Sequence, residues 1–87
     1  MNDAVICAGI RTPFVKSMTA YQGVTTQELM TASLQGLVEK SQLKGKQLGD
    51  VALGAVMMSS SDWNLARECV LGTDLHPWTP AYNVQRA

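Results

Sequence analysis

The chain has 87 residues, 46% of them hydrophobic, and its seven basic and seven acidic residues cancel to a formal net charge of zero. That length allows one small domain at most, burying roughly 60–65% of its unfolded surface, and the apolar content excludes a disordered chain. Balanced charge argues against a nucleic-acid partner, and the longest apolar stretch, Val51 to Met58, falls well short of the about 20 residues of a membrane span.

In chain order, no basic n-region precedes the first apolar run, so a secretory signal is not expected and a cytoplasmic placement is. That run, Ala4-Val5-Ile6-Cys7-Ala8, is short and unbroken, which reads as a strand covered on both faces. Gly9 and Arg11-Thr12-Pro13 end it, and Pro13 pushes Thr12 away from helical angles into an extended loop from about Phe14 to Val24. Thr25 and Glu28 then form an S/T-x-x-E capping box. Behind it, Met30, Leu34, Leu37 and Val38 recur at helical spacing, predicting a helix from about Thr26 to Ser41 with Gln27, Gln35, Glu39 and Lys40 largely off the apolar stripe. Gly36 costs that helix up to about 1 kcal/mol relative to Ala, which a close neighbour would explain.

A polar connection, Leu43 to Gly49, leads to a second strand, Val51 to Met58, whose apolarity does not alternate and so predicts cover on both sides. Ser59-Ser60-Ser61-Asp62 and Asn64 all offer capping groups for a short helix from Asn64 to Leu71, with Ala66, Cys69 and Val70 on its buried face and Gly72 as the C′ residue. Thr73 to Pro80 holds two prolines and reads as a loop, and Ala81 to Ala87 as a last strand with no turn residue after it. The order β-α-β-α-β predicts an α/β fold with a mainly parallel sheet, both helices on one face and the other face bare. Strands that expect two covers and find one imply that the missing layer belongs to a longer polypeptide.

Cys7 and Cys69 lie far apart and outside any C-x-x-C pair, so a zinc site has no support and both read as small buried apolar residues. His76, before Pro77, reads as a loop histidine, with a ligand or catalytic role as the alternative. Arg11 and Arg67 read as buried or half-buried structural cations whose guanidinium forks fix loop carbonyls or carboxylates. Asn64 reads as a cap, and Asn83 and Gln85 point to the opposite sheet face from Tyr82 and Val84. Arg86 reads as a partner in the structure, with an influence on whatever follows the strand as the alternative. No catalytic, cofactor-binding or metal-binding residue is assigned. Gly9 stands alone, without a G-x-G-x-x-G or G-K-[ST] pattern, which weakens a nucleotide site in a small stand-alone binding or interaction module.

Ala8-Gly9-Ile10-Arg11-Thr12-Pro13-Phe14, Asp50-Val51-Ala52-Leu53-Gly54, Asn64-Leu65-Ala66-Arg67 and Tyr82-Asn83-Val84-Gln85-Arg86-Ala87 together resemble, in order and at matching spacing, the opening segment of a thiolase. Asn64 to Thr73 is most similar to the branch of acetyl-CoA acetyltransferases and fatty-acid-oxidation β-subunits. Ketoacyl synthases, which share the general architecture, are a second alternative. The resemblance implies one incomplete unit over residues 1–87, with the nucleophilic cysteine expected directly after the last strand. It implies a parent that makes or cleaves 3-ketoacyl-CoA through a cysteine thioester and a coenzyme A thioester as its substrate. It also implies a homodimer or tetramer, with the remainder of the polypeptide as this segment's first partner. Cys7 and Cys69 inherit no catalytic role, and the chain alone is expected to be inactive.

Overall fold

Thr25 takes extended angles and its hydroxyl accepts the Glu28 amide at 3.1 Å, satisfying one of the unpaired donors that open a helix. From that cap, the computed structural model, which describes residues 3–57 and 63–86, builds helix α1 over Thr26–Lys40. The helix ends in a Schellman arrangement. The Leu43 amide donates to the Val38 carbonyl and the Gln42 amide to the Glu39 carbonyl, while Gln42 takes a left-handed φ of 57°. Leu43 packs against the buried cluster that contains Val38, in keeping with the apolar contact that often accompanies this motif.

Strand β1 spans Val51–Ala55, helix α2 Leu65–Leu71 and strand β2 Ala81–Gln85. The strands pair in parallel, Val51 opposite Ala81 through Ala55 opposite Gln85, as a β-α-β connection requires. Met58, the candidate caps Ser59 to Asp62 and Ala87 lie outside the described residues. Among the described capping groups, Asn64 opens α2: its Oδ1 accepts the Arg67 amide at 3.0 Å. Gly72 closes α2 with φ −85°, an angle open to any residue. Its small size answers to the neighbouring helix instead, since a Cβ there would sit 3.1 Å from the Thr31 methyl.

Helix α2 lies on both strands and α1 packs against α2, so the core forms on one side of the sheet. Leu53, Leu65, Ala66 and Cys69 make one buried cluster, with Met30 and Leu34 of α1 against it. Val38, Val70 and Leu75 make the other, with Val51 and Ala81. The opposite sheet face carries Ala52, Gly54, Tyr82 and Val84, all exposed. Burial along β1 therefore alternates, which departs from the expected two-sided cover: among the described residues one layer of helices is present to bury it.

The first expected strand does not form. Residues 4–8 have no helix or strand, and Ile6 is 97% exposed. A strand exists only through its hydrogen-bonded neighbour, and the chain just beyond this run is held elsewhere. Lys40 Nζ donates to the Gly9 carbonyl at 3.0 Å, and Ile10 Cδ1 occupies the space a Cβ on Gly36 would fill. The order among the described residues is thus α-β-α-β in place of β-α-β-α-β, and Gly36 does have the close neighbour its cost suggested.

Accessible surface quantifies how open this arrangement is. The chain of 9.4 kDa exposes 6840 Å², against about 5,000 Å² for a compact monomer of that mass. The excess includes Phe14, Met57, Trp63, Trp78, Tyr82 and Val84.

Candidate functional site

In a parallel sheet, ligands and reacting groups gather beyond the carboxyl ends of the strands, where the backbone turns out of the layer. Both described strands end on the same edge, at Ala55 and Gln85. Gln85 Nε2 donates to the Val56 carbonyl at 3.2 Å and clips the two strand ends together. The N-terminal turn of α2 meets the same edge: Asn83 Oδ1 accepts the Ala66 amide at 2.8 Å. Asn64 and Asn83 thereby satisfy two neighbouring donors of one helix turn, one from the cap and one from the strand. Asn83 faces the helices and Tyr82 and Val84 face away, as period-two alternation predicts.

The far edge of the sheet is held by a hydrogen-bonded seam. Arg67 donates from Nη1 to the Thr79 carbonyl at 2.8 Å and from Nη2 to the Pro77 carbonyl at 2.5 Å. This is the carbonyl-fixing fork expected of it. Thr79 is fully buried and its hydroxyl accepts the Leu48 amide at 3.2 Å. The Gly45 amide donates to Asp74 and the His76 amide to Lys46, so the connections before β1 and before β2 are bound to each other. Gln35 reaches the same region: its Nε2 donates to Asp74 Oδ2 and its Oε1 accepts the Asp74 amide. Thr79 and Gln35 had no signal in sequence, because one sits in a proline-flanked loop and the other on a polar helix position, and both act through partners more than 30 residues away.

His76 stays within its loop, where Nδ1 accepts the Trp78 amide at 3.1 Å and the ring meets Trp78 edge-on at 5.4 Å. Cys69 is buried as expected, with Sγ 3.9 Å from the Gln27 carbonyl oxygen. Cys7 is not: it is exposed, because the strand that was to bury it does not form. Arg11 is likewise exposed, where a buried or half-buried cation was expected, with its guanidinium 6.0 Å from the centre of the exposed Phe14 ring. Arg86 is exposed just beyond β2. Among the described residues no cluster of His, Cys, Asp and Glu could hold a metal ion, and no helix is long and apolar enough to cross a membrane.

Taken together, the described edge is a scaffold: two parallel strand ends, tied to each other and to a helix start. Known proteins match the chain in sequence. A family model described as "Thiolase, N-terminal domain" matches residues 4–87. The chain is 39% identical over 82 residues to a 3-ketoacyl-CoA thiolase of Shewanella denitrificans, covering 94% of this chain and 19% of that protein. The 3-ketoacyl-CoA thiolase of Shewanella sediminis is 38% identical over the same span, again 94% of this chain and 19% of the relative. The chain thus spans about a fifth of the length of the curated relatives it matches. The α/β arrangement is consistent with the start of a thiolase N-terminal domain, and the chain belongs to the thiolase family.

Proposed function

We propose that this chain is the N-terminal segment of a CoA-dependent thiolase that makes or cleaves 3-ketoacyl-CoA through a cysteine thioester, and that the segment alone is inert. The observation that carries this reading is the tied edge at Ala55 and Gln85, in a chain that matches the family model through residue 87. On this reading β2 aims the nucleophilic cysteine at the start of the next helix. There the helix dipole favours the thiolate over a thiol of ordinary pKa near 8.5. Preorganised donors further along the polypeptide stabilise the oxyanion of each acyl-transfer step by roughly 3–4 kcal/mol apiece. The substrate class is a coenzyme A thioester, which the names of the relatives support.

What supports inertness of the segment is where its own reactive groups stand. Cys69 is sealed in the core and beyond the reach of a thioester, and Nδ1 of His76 is engaged by the Trp78 amide. The remainder of the polypeptide is the first partner. It supplies the second layer over Tyr82 and Val84 and the surroundings in which residues 4–8 become the first strand of the sheet. A homodimer or tetramer in the cytoplasm completes the reading. Acetoacetyl-CoA thiolysis, followed at the enolate absorbance, tests it. The longer protein turns over and the 87-residue chain matches the blank. Turnover by the chain alone overturns inertness, and an inactive longer protein overturns the assignment.

A further inference from the structure

We infer that Asn83 is a positioning residue for the nucleophile, setting the exit of β2 through its bond to helix α2. The inference rests on the thiolase reading above and goes beyond it by naming a residue within this chain that governs the reacting geometry. Asn83 is a polar side chain of β2 on the helix-facing side, half-buried, opposite Leu53 in the strand register and in contact with Ala66. An amide in that layer costs free energy unless paired, and it is paired: Oδ1 accepts the Ala66 amide at 2.8 Å. That amide is one of the donors a helix start leaves without an intrahelical partner, so the bond satisfies both groups at once. It fixes β2 to α2 along the strand direction, which apolar contacts such as Ala81 against the core cluster do not, since side chains of similar volume can slide. Gln85 fixes the same strand end to β1 through the Val56 carbonyl. Asn83 and Gln85 together hold the last turn of the path to the reacting atom from two directions, and Asn83 is the one tied to the core.

Only an acceptor at this position does the work. Asp accepts the same bond and adds a charge favourable at a helix start, whereas Ala leaves the Ala66 amide unpaired and the strand end free to shift. A displacement of about 1 Å at a reacting group costs on the order of 100-fold in rate. The test uses the longer protein, carrying Asn83→Ala or Asn83→Asp, with kcat and KM for acetoacetyl-CoA and the pH profile of iodoacetamide alkylation of the nucleophilic cysteine. For Asn83→Ala we expect kcat per folded molecule to fall by about tenfold or more with KM nearly unchanged, and the alkylation profile to move to higher pH. Asn83→Asp retains kcat within about threefold. Should Asn83→Ala leave no folded protein, Asn83→Ser replaces it, its shorter hydroxyl falling away from the amide, and is read by the same outcomes. An Ala or Ser variant that keeps kcat per folded molecule and the alkylation profile overturns the inference while leaving the thiolase assignment intact. An unsubstituted protein without thiolysis overturns both.

Discussion

Replacing Arg67 by Lys keeps the charge and removes the fork. In the structure two carbonyls depend on that fork, those of Pro77 and Thr79, and Thr79 is fully buried. A hydrogen bond from a charged group contributes about 1.5–3 kcal/mol. Arg67 is half-exposed, so the lower end applies, and an ammonium on a single stem reaches one carbonyl and abandons the other. The expected loss is about 1.5 kcal/mol for Arg67→Lys and about 3 kcal/mol for Arg67→Ala. At 4–8 °C per kcal/mol for a domain of this size, the Lys variant should melt about 6–12 °C lower. Thermal unfolding of the chain followed by circular dichroism at 222 nm reads this directly. A Lys variant melting within about 2 °C of the unsubstituted chain would show that the fork geometry carries no weight and that charge or stem packing explains the contact.

Gln42→Gly should stabilise the chain by about 0.5–1 kcal/mol, because Gln42 holds a left-handed φ of 57° at the position after the α1 cap where glycine carries no steric cost; urea midpoints check it. Thr79→Val, nearly equal in volume, should cost about 1–2 kcal/mol in the same titration by leaving the Leu48 amide without its acceptor. The isolated chain should self-associate through the exposed sheet face. Sedimentation should show mass rising with concentration, and a double substitution of Tyr82 and Val84 by Lys should return it towards the monomer.

Local signals in the sequence were sufficient wherever the partner was also local. Thr25 caps Glu28 and Asn64 caps Arg67 three residues on, so both helices could be placed to within a residue of their observed ends. Strand alternation placed Asn83 opposite Tyr82 because the period of two is a property of the backbone alone. What failed was the run at residues 4–8, whose apolarity describes an environment and not a conformation. Without an occupied strand edge beside it, the run stays outside the sheet with residues 4–7 exposed, Cys7 among them. The reach of Arg67 to two particular carbonyls, and of Gln35 to Asp74, was equally hidden, because each needs the whole crossover to be in place before the two ends meet.

The bonds between residues 45–48 and 74–79 bear on how this segment tolerates changes in length. A free surface loop absorbs an inserted residue by bulging. Here the two connections are laced to each other by Gly45, His76 and Leu48, and the second runs directly into β2 at Pro80, whose carbonyl accepts the Val51 amide. A residue added between Thr79 and Ala81 has no slack to enter, so it advances the strand. One step of advance exchanges the two faces of the strand, turning Tyr82 toward α2 and Asn83 away from it. The spacing between Arg67 and Asn83 is therefore as much a part of the design as either side chain, and single-residue insertions there should be harsher than most point substitutions in the same loop.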